Sequence, residues 1–67
     1  MNLIINGETV SVPGDCTRVV TLLEHFGFHT KVVIVEHNGN ILEKRLHEST
    51  PLVEGDRVEM IHFVGGG

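Results

Sequence analysis

Asn2-Leu3-Ile4-Ile5-Asn6-Gly7-Glu8-Thr9-Val10-Ser11-Val12 is the stretch that decides the fold. An apolar run meets an Asn-Gly pair, after which Val10 and Val12 alternate with polar residues. Asn and Gly both accept the positive φ that a two-residue hairpin turn requires, so the stretch predicts two antiparallel strands joined at Asn6-Gly7. Pro13-Gly14-Asp15 ends the second strand, and Thr17 is placed to cap a helix over residues 18–26 that Gly27 closes. Within that helix Val19, Leu22, Leu23 and Phe26 fall at i, i+3, i+4 and i+7, one apolar stripe that must lie on a sheet.

Downstream, Val32-Val33-Ile34-Val35 is β-branched and reads as a buried strand, and a second Asn-Gly pair, Asn38-Gly39, turns it into a short strand at Asn40-Ile41-Leu42. Residues 44–54 are polar and irregular, with Leu46, Leu52 and Val53 available to pin them to the core. Gly55-Asp56 then turns the chain into a final strand over residues 57–64. The economical packing of these elements is an α+β domain of two layers, a mixed sheet of four to five strands curled over one main helix. The expected organisation is a domain over residues 1–64 and a slim glycine tail over residues 65–67.

Sixty-seven residues make one small domain, for which a stability of about 3–5 kcal/mol is typical, and they leave no room for a deep catalytic cavity. Five Lys and Arg against nine Asp and Glu give a net charge of -4, with no basic cluster to contact phosphates, so nucleic acid is an unexpected partner. No apolar run is long enough to span a bilayer, and the N-terminus lacks the pattern of a signal peptide. The single cysteine, Cys16, has no internal disulfide partner, which suits a reducing compartment. A cytoplasmic protein is expected. Neither Gly-x-x-x-x-Gly-Lys-Ser/Thr nor Gly-x-Gly-x-x-Gly occurs, so the chain carries neither of these nucleotide-binding devices.

Several residues invite chemistry. His25 and His29 have the i, i+4 spacing of a metal pair, but Gly27 lies between them and surface histidines are the simpler reading. Cys16 precedes the helix, whose dipole can lower a thiol pKa, but no base is assured nearby and a small residue filling the loop is the favoured reading. Glu43 and Glu48 read as solvated charges rather than an acid and base pair. In the final strand Val58, Met60 and His62 point one way, and Glu59, Ile61 and Phe63 the other. With Val58 and Met60 on the helix, Ile61 and Phe63 form an apolar docking face beside the tail, or else pack beneath a neighbouring loop.

Gly65, Gly66 and Gly67 are the most pointed feature. Without Cβ atoms they keep the terminus thin, and three extended residues reach roughly 10 Å, enough to carry a carboxylate into a narrow slot on another protein. A frayed end is the alternative.

Taken together, Ile5-Asn6-Gly7-Glu8, Thr17, Leu22-Leu23, Val33-Ile34-Val35-Glu36-His37-Asn38-Gly39, Gly55-Asp56-Arg57-Val58-Glu59 and the terminal glycines resemble the ubiquitin-like β-grasp sulfur carriers, most closely the thiamine-biosynthesis carriers of the ThiS family. The resemblance implies a β-grasp domain that is a protein co-substrate rather than an enzyme. It implies that an E1-like adenylyltransferase of the ThiF type uses ATP to adenylate Gly67, with Gly66 and Gly65 keeping the tail slim. A persulfide supplied through a cysteine desulfurase then displaces AMP to leave a thiocarboxylate, whose sulfur passes to a ThiG-type thiazole synthase. No intrinsically bound cofactor or metal is implied. The chain departs from the family pattern after the fourth strand, where Glu43-Lys44 replaces a frequent Pro-Arg pair and His47 occupies an aromatic position. The small subunit of molybdopterin synthase, a ubiquitin-like modifier joined to lysines and a plain binding module are the alternatives.

Overall fold

The computed structural model describes residues 1–28 and 32–62. The first hairpin forms as the sequence demands: β1 (Asn2–Ile5) and β2 (Glu8–Ser11) pair antiparallel from Asn2↔Ser11 to Ile5↔Glu8. Its turn places Asn6 at φ 49° and Gly7 at φ 84°. The second hairpin repeats the device, joining β3 (Val33–His37) to β4 (Asn40–Leu42) through Asn38 at φ 49° and Gly39 at φ 87°. Two consecutive positive φ values give the type I′ geometry whose twist matches the flanking strands.

The helix α1 is shorter than the periodicity suggests, Val19–His25, and its N-cap is Arg18 rather than Thr17. Thr17 is unavailable because its carbonyl accepts the Leu52 N–H at 2.9 Å, and Arg18 bridges antiparallel to Pro51. The cap is closed from within the helix: the Thr21 hydroxyl accepts the Arg18 N–H at 3.0 Å and donates to the Arg18 carbonyl at 2.7 Å. At the other end Gly27, at φ 77°, donates to the Glu24 carbonyl and Phe28 to the Leu23 carbonyl. That pair of bonds is the Schellman motif, and it turns Phe28 back over the core. Phe26, assigned to the buried stripe by its spacing, is therefore 37% exposed, and Phe28 packs against the core in its place.

After β4 a 3-10 turn (Lys44–Leu46) leads to a loop in which Leu52 is buried and Val53 is exposed, so only Leu52 of those two anchors it. His47, read only as a substituted aromatic position, is buried there. The last strand, β5, runs Arg57–His62 within the described residues. It pairs parallel with β1 and antiparallel with β3, giving the sheet order β2-β1-β5-β3-β4. The final strand in sequence is thus the central strand in space, held on both sides.

One face of this sheet meets α1. Leu3, Ile5, Val35, Val58 and Met60 from the strands close on Val19, Leu22 and Leu23, with Val12, Cys16 and Leu52 completing the core. The helix covers that face alone. Val32, Ile34 and Ile41 consequently stay exposed, Val32 at 73%, and the run 32–35 is half buried rather than fully buried. No helix among the described residues is long and apolar enough to cross a membrane.

Candidate functional site

The site is built around β5, because residues 63–67 continue from it. Phe63 and the glycine tail, Gly65, Gly66 and Gly67, lie outside the described residues, as does His29. What the structure places is β5, the strand that precedes residues 63–67 in the sequence.

Two turn asparagines clamp that strand from opposite sides. On the β1 side the Ile4 N–H donates to the Asp56 carbonyl at 2.9 Å and the Asn6 N–H to the Val58 carbonyl at 3.0 Å. The Asn6 carboxamide then continues the ladder past the end of β1, accepting the Met60 N–H at 2.8 Å and donating to the Met60 carbonyl at 3.2 Å. On the β3 side the Asn38 side chain accepts the Arg57 N–H at 2.9 Å, and its amide donates to Asp56 Oδ1 at 3.1 Å. The same two residues that accept the left-handed turn conformation therefore also fix β5. Spacing announced the turns but gave no sign of this second role.

Asp56 is the hub at the entry to β5. It is buried, and its Oδ2 lies 2.9 Å from His37 Nε2 and accepts the Val53 N–H at 3.0 Å. Burial alone would push its carboxyl up, but the hydrogen bonds from His37, Val53 and Asn38 outweigh that and hold it below the usual carboxylate value.

The open face of the sheet carries the register rows Ile34↔Ile61 and Glu36↔Glu59, with Ile41 beyond Glu36 on β4. Ile61 is 49% exposed and Ile34 is 39% exposed, so the apolar face proposed from alternation exists at Ile61, with Ile34 as its cross-strand neighbour. His62 shares the parity of Val58 and Met60, and it stacks on the Phe28 ring at 4.9 Å between centroids.

Cys16 fills the loop before α1 as a buried core side chain, its Sγ 4.0 Å from the Thr21 carbonyl oxygen. Burial pushes its thiol pKa up and the charge of Asp15 adds to the rise, the reverse of an activated nucleophile. Among the described residues no group of three His, Cys, Asp or Glu side chains gathers in metal-binding geometry. Glu43 pairs with Arg45 at 2.6 Å on the surface, and Glu48 is exposed. His47 lines a cavity of about 140 Å³ with Val20, Leu23, Phe28 and Val33, and among the described residues its Nε2 has no hydrogen-bond partner.

Comparison with known proteins gives one consistent answer. The profile of the ThiS family matches residues 3–67. The chain is 37% identical to the sulfur carrier protein ThiS of Bacillus subtilis over 65 residues, covering 97% of this chain and 98% of that protein. It is also 36% identical over its full length to part of a thiazole synthase from Paramagnetospirillum magneticum, where it spans 20% of that longer protein. The crystal structure of the thiamine biosynthesis protein ThiS from Geobacter metallireducens superposes with a TM-score of 0.83 at 38% identity, each chain covered in full. With its sheet order, its two Asn-Gly hairpins and a family match running through Gly67, the chain belongs to the ThiS family.

Proposed function

We propose that this protein is a sulfur carrier for thiazole formation in thiamine biosynthesis, working as a cytoplasmic co-substrate whose reactive group is the α-carboxylate of Gly67. The observation that carries the reading is the family match through Gly67, joined to a sheet in which β5, the strand that precedes residues 63–67 in the sequence, is central. A carboxylate resists nucleophiles because it is anionic and has no good leaving group. A ThiF-type adenylyltransferase overcomes this when a Gly67 carboxylate oxygen attacks the α-phosphorus of ATP and expels pyrophosphate, leaving a mixed anhydride. The terminal sulfur of a persulfide, supplied through a cysteine desulfurase, then attacks the acyl carbon and expels AMP. A thiol reductant cleaves the resulting acyl disulfide, and the thiocarboxylate remains on Gly67.

The carrier's own contributions are the acyl group, a tail without side chains and a docking surface that includes Ile61 and Phe63. Gly65, Gly66 and Gly67 present no Cβ to a narrow catalytic slot. The acceptor is a ThiG-type thiazole synthase, a reading supported by the thiazole synthase that contains a segment similar to this whole chain. The raised thiol pKa of buried Cys16 favours the terminus over an internal persulfide as the place where sulfur rides.

The test is ATP-dependent adenylation. Incubated with ATP and the ThiF-type enzyme of the same organism, the full chain should release pyrophosphate, and a chain lacking Gly66 and Gly67 should not. Equal release from the truncated chain would overturn the assignment.

A further inference from the structure

Glu36 and Glu59 stand directly opposite each other on the open face of the sheet, in the register of β3 and β5. Like charges at a cross-strand pair destabilise a sheet, because their Cβ atoms lie only about 5 Å apart. Among the described residues the ion pairs are His37 with Asp56 and Arg45 with Glu43, and neither the Glu36 nor the Glu59 carboxylate takes part in one. Arg57 lies two residues from Glu59 on the same face, and no ion pair joins it to either glutamate. The pair has apolar neighbours, Ile34 and Ile61 as the next row of the ladder and Ile41 on β4. A pair of carboxylates bordered by exposed isoleucines is the complement of a guanidinium or ammonium group surrounded by apolar side chains.

Resting on the carrier reading, we propose that the Glu36 and Glu59 carboxylates receive a cationic side chain, an arginine or lysine set among apolar residues, from the enzyme that adenylates Gly67. Reach supports the assignment, since six extended residues separate Ile61 from Gly67 and span at most about 20 Å. A protein seated on Ile34 and Ile61 therefore has the terminal carboxylate within its own active-site distance. Charge supports it as well. Adenylation brings a carrier of net charge -4 and its tail carboxylate to a centre holding anionic ATP, and a cation at the docking face offsets that repulsion. Loading the pair with a cation also relieves the strain between the two carboxylates, so association gains what the free fold forgoes.

The test separates binding from folding. Glu36→Gln/Glu59→Gln and Glu59→Lys are compared with the wild type in pyrophosphate release by the ThiF-type enzyme at varied carrier concentration, and in thermal unfolding of the free protein. The account predicts a KM for the carrier raised about tenfold in the double variant and further in Glu59→Lys, with kcat at saturation kept, and a KM effect that shrinks at high salt. It predicts a Tm raised by about 2 °C in both variants, the opposite direction from binding. An unchanged KM, a lowered Tm, or a loss confined to binding of the thiazole synthase would each overturn the proposal. Absence of pyrophosphate release from the wild type would instead remove the carrier reading, and the proposal with it.

Discussion

The Asn6 carboxamide and the main chain of Met60 exchange two hydrogen bonds, at 2.8 and 3.2 Å, so a turn side chain acts as one more rung of the parallel ladder between β1 and β5. Its position matters because Asn6 lies just past the end of β1 (Asn2–Ile5), so its side chain extends the hold on the central strand by one residue pair. The clamp holds β5 on its β1 side at Met60, while β3 pairs with it on the other side through His62.

Asn6→Ala removes both bonds and puts a Cβ without polar compensation at φ 49°. The expected loss is about 2 kcal/mol, a large share of what a domain of this size possesses. Urea denaturation measures it. Hydrogen exchange should show the Met60 amide losing protection more than that of Leu22, which is bonded within the helix to the Arg18 carbonyl. Asn6→Gly keeps the turn but not the clamp, and should lose Met60 protection with a smaller stability cost.

Asp56 makes stability depend on pH in a defined direction. Its folded pKa lies below the ordinary value of 3.8, so its contribution is fully present above that value and is lost as pH falls through the folded one. Asp56→Asn should lower stability at neutral pH by about 1–3 kcal/mol and make the fall in acid shallower than in the wild type. Denaturation midpoints at neutral pH and below pH ~4 check both halves.

Cys16 should behave as a protected structural thiol. It is buried with a raised pKa, so alkylation by iodoacetamide at neutral pH should be slow in the folded protein and fast in urea. Cys16→Ser should keep ATP-dependent sulfur loading, since the acyl route uses no internal thiol. Loss of loading with the fold preserved would move the chemistry to the start of the helix.

Two positions on opposite faces of β5 should respond differently. Val58 is fully buried and Ile61 half exposed on the other face. Val58→Ala should cost about 2 kcal/mol or more of stability, whereas Ile61→Ala should leave the melting temperature nearly unchanged and weaken docking to the adenylating enzyme. A melting curve and a binding titration on each variant decide this.

The parts of the fold legible in the sequence were those governed by local rules. Asn6-Gly7 and Asn38-Gly39 gave the hairpins because two residues alone set the turn geometry, and alternation along β5 gave its buried and open faces. Where distant groups intervened, local reading failed. Thr17 does not cap the helix because Leu52 takes its carbonyl, a contact 35 positions away in the chain. Phe26 yields its core position to Phe28 because the turn at Gly27 redirects the chain, which helical spacing does not encode. The clamps by Asn6 and Asn38, the hub at Asp56 and the opposition of Glu36 to Glu59 depend on which strands become neighbours. That order follows from the parallel pairing of the first and last strands, a contact between the two ends of the sequence.

The most direct test of the central claim is intact mass after complete loading. The protein is incubated with ATP, the ThiF-type adenylyltransferase, a cysteine desulfurase with cysteine, and a thiol reductant, and its mass is then measured alongside that of the chain lacking Gly66 and Gly67. The account predicts that the full chain gains the difference between one sulfur and one oxygen atom, that fragmentation places the gain on Gly67, and that the truncated chain gains nothing. An unchanged mass in the full chain, or a gain placed on Cys16, would contradict it.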